Sequence, residues 1–260
     1  MSEQVVVVEL RNRSMWLRLN RPEAMNSLSP QVLSALRTAL GQARHNDEVV
    51  SVVLTGTGRA FCAGADLKYV RSQANGGGTE EFLQGVLEIM DLLENFPKPV
   101  IASINGLALA GGLELVLCCD LVVAARSAKI GDAHGNYGLL PGGGSSVRLP
   151  RLIGATRAKH LLFTAEFLDA QTLMNAGLVN EVVDDDKLEE ATQALADKLA
   201  LRSPLVLRRM KALIDDGLEQ PKTTALRLEL LASEVHCHSA DFREGLAAFE
   251  QKRKPRFIGR

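Results

Sequence analysis

An α/β core followed by a helical module is the architecture this sequence predicts, and three observations carry it. Apolar runs of strand length, Val49 to Thr55, Val100 to Ile104 and Leu121 to Ala125, have the near-unbroken hydrophobicity of strands covered on both faces. Strand–turn–helix units recur along the first part of the chain. After a last short strand, a run of helices begins at about residue 187 and is punctuated by Pro204, Gly217 and Pro221. The reading divides the chain into a core over residues 1–195 and a helical module over residues 196–260.

Taken in order, Val5 to Leu10 and Met15 to Asn20 read as two strands joined by the polar turn Arg11-Asn12-Arg13. Ser29 followed by Pro30 is a helix start. Val32, Leu33, Leu36 and Leu40 recur at helical spacing, which gives an amphipathic helix over 30–45. Val49 to Thr55 is a strand broken by Gly56-Thr57-Gly58, and residues 59–68 read as a loop. Residues 73–79 (Gln-Ala-Asn-Gly-Gly-Gly-Thr) read as a flexible surface segment, within a loop 68–80 expected to cover a pocket. Thr79 is expected to cap a helix over 80–96 whose first turn carries Glu80 and Glu81. Val100 to Ile104 and Leu121 to Ala125 are strands, Lys129 to Gly131 a short one, and Glu114 sits in the helix between the first two. A helix starts at Ser145 or Ser146. From about Ala155 the pattern is helical. Asp169 caps a helix over 170–176 that ends at Gly177. A last strand, Val179 to Val183, precedes helices at about 187–202, 204–216, 221–236 and 240–252.

Composition excludes several classes. Thirty basic and 31 acidic residues leave a net charge of −1, so no global field favours nucleic acid or a membrane surface. No apolar stretch reaches the ~20 residues that span a bilayer. The N-terminal apolar run is four residues long and flanked by acids, unlike a secretory signal, which makes the cytoplasm the expected compartment. Cys62, Cys118, Cys119 and Cys237 form no C-x-x-C pair and are expected to be reduced, buried small hydrophobes. His236-Cys237-His238 lacks a second ligand pair, so no metal is expected.

Two loops carry the chemistry. Ala63-Gly64-Ala65-Asp66-Leu67 and Ala110-Gly111-Gly112-Leu113-Glu114 each follow an apolar strand and consist of residues with almost no side chain. Small residues free the backbone to approach a ligand, and one N–H from each loop can meet at a single carbonyl oxygen, as in an oxyanion hole. The alternative is that such residues only permit tight packing. Glu114 is a lone acid in an apolar helix. An unpaired buried carboxylate is costly, so either function or an ion pair with a nearby Arg must account for it. Gly142-Gly143-Gly144-Ser145-Ser146 is not followed by Gly-Lys-Ser/Thr and is not a phosphate loop. It reads instead as a close approach of backbone to substrate.

Gly58-Arg-Ala-Phe-Cys-Ala-Gly-Ala-Asp-Leu67 together with Asn105-Gly-Leu-Ala-Leu-Ala-Gly-Gly-Leu-Glu-Leu115 resembles the two signature segments of the enoyl-CoA hydratase/isomerase family, the crotonase fold. Arg21-Pro22 through Asn26, Phe96 through Ala102, Gly138 through Gly144 with Arg148-Leu149, and Ala247 through Lys254 extend the resemblance over nearly the whole chain. It implies a crotonase-like spiral of ββα turns with a C-terminal helical trimerisation module. It also implies an acyl-CoA substrate, a homotrimer or dimer of trimers, and no cofactor beyond the coenzyme A of the substrate. The N–H groups of Ala65 and Gly111 would hold the thioester oxygen. Ala24, Ala63, Asp66 and Leu67 would lie along the CoA, with Phe249 and Lys252 of a neighbouring subunit near its adenine and 3′-phosphate. Lys252 is equally well read as a solvated surface charge, since more basic residues follow.

In hydratases of this family two glutamates move the protons. Glu114 falls on the first, but His134 falls on the second, within Asp132-Ala133-His134-Gly135-Asn136-Tyr137. Three readings stay open. His134 replaces the glutamate and the enzyme is an enoyl-CoA hydratase. Alternatively the chemistry is that of an isomerase, decarboxylase or carbon–carbon bond hydrolase. In the third, His134 is structural and Glu114 works alone. If the segment is extended, Asp132 faces the same way as His134 and orients its ring. Tyr137 either donates to the acyl group or is a half-buried packing residue. A non-catalytic binding protein on the same fold is the competing class, and the retained Glu114 and glycine-rich loops argue against it.

Overall fold

The structure, a computed structural model, describes residues 4–73 and 78–260. It opens with an antiparallel hairpin, β1 (Val6–Arg11) and β2 (Ser14–Leu19), then a 3₁₀ turn at Pro22–Ala24. α1 (Pro30–His45) starts where Ser29 Oγ accepts the Val32 N–H at 3.4 Å and Pro30 pre-sets the first φ. Its Val32, Leu33, Leu36 and Leu40 stripe is buried, as the 3.6-residue period requires. Three strand–strand–helix turns follow. The first is β3 (Ser51–Gly56), β4 (Ala60–Cys62), α2 (Leu67–Gln73) and α3 (Gly78–Glu94). The second is β5 (Val100–Ile104), β6 (Leu107–Leu109) and α4 (Gly111–Leu117). The third is β7 (Leu121–Ala125), β8 (Lys129–Gly131), a 3₁₀ turn at His134–Tyr137, and α5 (Ser145–Ile153). Beyond them lie α6 (Ala155–Thr164), β9 (Phe167–Asp169), α7 (Ala170–Ala176), β10 (Glu181–Val183) and α8 (Leu188–Ala200). The chain ends with α9 (Pro204–Leu218), α10 (Lys222–His236) and α11 (Ala240–Glu250).

Each turn contributes one strand to each of two sheets. The six-stranded sheet runs β1-β2-β3-β5-β7-β10 and the four-stranded sheet β4-β6-β8-β9. From β2 onward the larger sheet is parallel, with Val52 opposite Val100 and Ile101 opposite Leu121. Such strands must be covered on both faces, and their side chains are accordingly mostly apolar and nearly all buried. α8 lies across this sheet through Leu188 and Ala196, with Ser103 Oγ 2.9 Å from Thr192 Oγ1 and Trp16 Nε1 donating to Gln193 Oε1 at 2.9 Å. Residue 195 falls within α8, so the helix that seals the core also leads into the C-terminal helices. In the smaller sheet β4, β6 and β8 are parallel neighbours, with Ala60 opposite Leu107 and Leu107 opposite Lys129. Their carboxyl ends therefore lie side by side. This is the spiral of ββα turns that the resemblance implies.

The long elements fall where periodicity places them. Of the three-residue strands, β8 falls where expected and β10 lies within Val179 to Val183, but β4, β6 and β9 were not placed, because three residues carry little alternation to be read. Residues 59–68, read as a loop, contain β4 and the start of α2, and β6 and β9 were not foreseen. Of the loop 68–80, residues 68–73 are helical and 78–80 begin α3, while residues 74–77 lie outside the described residues. Thr79, expected as a cap, is inside α3, and its Oγ1 is buried without a partner. Asp169 does cap α7, accepting the Thr172 N–H at 2.6 Å, and Gly177 ends it at φ 93°. Cys62 and Cys118 are buried and Cys119 is half-buried, but Cys237 is exposed at the end of α10, where that helix buries no side chain. Among the described residues no helix is long and apolar enough to cross a membrane.

Asn26 fixes the approach to the first loop. It is buried, sits at φ 56°, donates from Nδ2 to Thr57 O (2.9 Å) and Ala60 O (2.6 Å), and accepts the Arg21 N–H (2.9 Å) at Oδ1. Asn26→Ala leaves the Arg21 N–H and Thr57 O without this partner, while Ala60 O keeps Asn105 Nδ2 at 3.2 Å, and is expected to cost about 2–4 kcal/mol. Urea unfolding measures this, and an unchanged midpoint would show that the loop is held by other contacts.

Candidate active site

The carboxyl ends of β4, β6 and β8 each deliver part of one site. After β4, Leu28 pairs with Ala65 as a parallel bridge: Leu28 N–H donates to Gly64 O (2.8 Å) and Asp66 N–H to Leu28 O (2.8 Å). That pattern turns the N–H of Ala65 itself to the opposite side. After β6, Ala110 N–H donates to Gly131 O at 3.0 Å, and Gly111 begins α4, where the first N–H groups have no intrahelical acceptor. Among the described residues, no protein carbonyl or side chain accepts the N–H of Ala65 or Gly111. The two loops touch: a Cβ on Gly64 (φ +98°) would lie 2.9 Å from Ala110 Cβ and 3.3 Å from Gly111 N. Gly112 packs on β4 so closely that a Cβ there would meet Cys62 O at 1.9 Å. Ala110 itself is held at φ 51°, ψ −116°, a conformation costly for a residue with a Cβ, by about 1–3 kcal/mol.

One turn along α4, Glu114 is 2% exposed. Its Oε1 accepts two main-chain N–H groups, from Gly143 (2.8 Å) and Ser145 (3.1 Å). Burial pushes its pKa up. The Ser145 N–H, the charge of His134 and the Gly143 N–H oppose that without cancelling it. Among the described residues no Lys or Arg pairs with Glu114, which removes the ion-pair account of its burial. Arg148, the nearby cation, binds Glu94 and Asp91 instead.

After β8, Asp132 is buried and its Oδ1 lies 2.9 Å from His134 Nδ1. The segment is turned rather than extended, so Asp132 meets His134 by another route than strand alternation. Ala133 adopts φ 59° and His134 N–H donates to Asp132 O at 2.8 Å, which swings the imidazole back over the carboxylate. Burial works to lower the His134 pKa, but the hydrogen bond to Asp132 and the charges of Asp132 and Glu114 outweigh it, and the pKa is raised. Glu114 and His134 thus sense one another's charge. Tyr137 is 73% exposed, so it is not the half-buried packing residue that the sequence suggested, and among the described residues it makes no side-chain hydrogen bond toward this pair.

Ala24, Ala63, Asp66 and Leu67 form one strip. Ala63 N–H donates to Met25 O at 3.0 Å, which sets the turn carrying Ala24 against Ala63. Asp66 caps α2 through Lys68 N–H (3.1 Å) and Tyr69 N–H (3.3 Å) and pairs with Arg21 at 2.9 Å. Burial works to raise the Asp66 pKa, but Arg21 and these N–H groups hold it below the usual carboxylate range. Phe249 is 87% exposed and Lys252 is exposed at the end of α11, and no hydrogen bond ties either to these loops. The amides of Gly143 and Ser145 were not foreseen as partners of Glu114; the glycine run there signalled backbone approach without naming what it approaches. Among the described residues no group of three or more His, Cys, Asp or Glu side chains is arranged to hold a metal ion.

A family model for enoyl-CoA hydratase/isomerase matches residues 11–260. The chain is 34% identical to a crotonyl-CoA hydratase of Syntrophomonas wolfei over 100% of both chains. It is also 34% identical to a short-chain-enoyl-CoA hydratase of Clostridium acetobutylicum over 96% of this chain and 95% of the relative. A crystal structure of an enoyl-CoA hydratase from Bacillus anthracis superposes with a TM-score of 0.95 at 39% identity, covering 99% of this chain and 100% of that one. Family model, relatives and fold agree: the chain belongs to the enoyl-CoA hydratase/isomerase family.

Proposed function

We propose that this protein adds water reversibly across the double bond of a 2-enoyl-CoA. The observation that carries this reading is that parallel β4, β6 and β8 bring to one edge the Ala65 and Gly111 amides, which have no acceptor among the described residues, and Glu114 and His134, whose charges act on one another. The amides hold the thioester oxygen as the α-carbon gains carbanion character. Two donors aimed at developing charge differ sharply from water, and losing one costs about 2.7–4 kcal/mol. Gly143 and Ser145 occupy Oε1 of Glu114, which leaves Oε2 to take a proton from the attacking water. The raised pKa of His134 makes the imidazolium the proton donor to the α-carbon. Water thus gives its oxygen to the β-carbon and one proton to Glu114. His134 gives one proton to the α-carbon, and the proton on Glu114 restores the pair. Asp132 orients the ring. No group beyond the coenzyme A of the substrate is needed, and the strip of Ala24, Ala63, Asp66 and Leu67 lies along that coenzyme.

The module 196–260 supplies contacts between copies, in a homotrimer or a dimer of trimers. Met210, Ile214 and Leu218 of α9 and Leu226, Leu230 and Leu231 of α10 are exposed on the single chain, an apolar surface that calls for cover. In such an assembly Phe249 and Lys252 reach a neighbour's CoA. The cytoplasm is the proposed compartment, in keeping with four unpaired cysteines.

Loss of the ultraviolet absorbance of crotonyl-CoA tests the reaction. Glu114→Gln is expected to lower kcat by at least about 10²-fold with little change in KM, and full activity in that variant overturns the reading. Light scattering is expected to give three or six times the 28.1 kDa chain mass, and Leu230→Asp to lower it. The imidazole gives a stability test. Its folded pKa lies above 6.5, so its contribution is complete below the unfolded value and is lost as pH rises through the folded one. The stability gap between wild type and His134→Gln is therefore larger at about pH 5.5 than at about pH 9. A gap that widens with pH contradicts the Asp132–His134 pairing.

A further inference from the structure

The group that holds Glu114 is a turn, and that turn is itself held from one side. Gly143 and Ser145 donate to Glu114 Oε1, and between them Gly144 sits at φ +106°. A flexible glycine run gives no reason for two N–H groups to stay aimed at one oxygen. Arg148, one turn into α5, supplies that reason. Its Nη1 donates to Gly143 O at 2.7 Å, and it fills the space beside Gly144 so fully that a Cβ there would lie 2.0 Å from Nη1. The remaining edge of the guanidinium is fixed from α3: Nε donates to Glu94 Oε1 (3.0 Å), and Nη2 to Glu94 Oε2 (2.5 Å) and Asp91 Oδ1 (3.3 Å). The Arg148 side chain is 12% exposed, against 42% for Glu94 and 57% for Asp91. A planar fork with five donors can grip a carboxylate and a carbonyl at once, which an ammonium cannot do in the same geometry.

We propose that Arg148 is a positioning residue for Glu114. Braced by Glu94, it locks the 143–145 turn so that both main-chain N–H groups stay on Oε1 and Oε2 stays free for the substrate water. The proposal rests on the assignment of Glu114 as proton acceptor. It links the last turn of α3 to the acid–base group through Glu94, Arg148, the Gly143 carbonyl and the Gly143 N–H. The charged and titratable groups around Glu114 are then His134 and Asp132 from the turn after β8, the Arg148–Glu94–Asp91 cluster, and the Cys118 thiol, which burial pushes up to about 12 and keeps neutral.

Arg148→Met keeps the apolar stem and removes the fork, leaving Glu94 and Asp91 exposed enough to be solvated. It is expected to lower kcat for crotonyl-CoA hydration about tenfold or more while KM stays within about twofold. Slackened N–H donors stabilise the carboxylate less, so the acid limb of the pH profile moves to higher pH. Arg148→Lys, which retains a donor for the Gly143 carbonyl, recovers part of kcat. Amide exchange read by mass spectrometry over 142–146 is expected to quicken at least about tenfold in Arg148→Met, in a protein that unfolds as cooperatively as wild type. Glu94→Gln should move the same readouts in the same direction by less, and it carries the test if Arg148→Met does not fold. An unmoved pH limb and unmoved exchange, with kcat falling only as folded protein is lost, would overturn the proposal. If Glu114→Gln proves active, the acid–base reading fails separately, and the exchange measurement still decides whether Arg148 locks the turn.

Discussion

The parallel pairing of β4, β6 and β8 is the constraint on which everything else rests. Because these three short strands run side by side in the same direction, whatever follows each of them emerges at one edge. The first ends in Ala65, the second in Gly111 and Glu114, the third in Asp132 and His134. A register slip between β4 and β6 would turn the Ala65 and Gly111 amides away from each other. The fold resists that slip with glycines at the contact, where Gly112 lies against the Cys62 carbonyl with no room for a side chain. Asn26, before α1, and Asn105, between β5 and β6, add to this by donating to the one carbonyl of Ala60 in β4.

The electrostatics follow from the same geometry. Burial alone raises the pKa of a carboxylate and lowers that of an imidazole, which would make both groups neutral. The site departs from that in two ways. Main-chain N–H groups stabilise the ionised form of Glu114 without bringing a countercharge, and Asp132 stabilises the ionised form of His134 with one. Glu114 is thus coupled to an Asp-backed imidazole, a neighbour whose ionised form is opposite rather than like in charge.

Most of this was legible in the sequence, for a physical reason. Helices such as α1 and α9 and strands such as β5 and β7 are long enough to show their period, and Ser29 and Asp169 announce their caps chemically. The two glycine-rich loops were legible because a backbone that must approach something cannot carry side chains. What stayed hidden was of two kinds. Three-residue strands such as β6 have no period to read. Tertiary partnerships, such as Arg148 with Glu94 or Gly143 with Glu114, join residues far apart in the chain. The left-handed Ala133, which turns His134 onto Asp132, also gave no warning, since alanine is not a residue whose presence suggests a positive φ.

The acceptor-free amides of Ala65 and Gly111 belong to peptide bonds, and every amino acid except proline supplies one. Point substitution therefore has almost no means of deleting these donors chemically; it can only displace them. The placement of these two donors is thus secured by shape rather than by residue identity. Surrounding side chains such as His134 have no such protection: a substitution there changes the titratable groups that act on Glu114 while both amides stay in place.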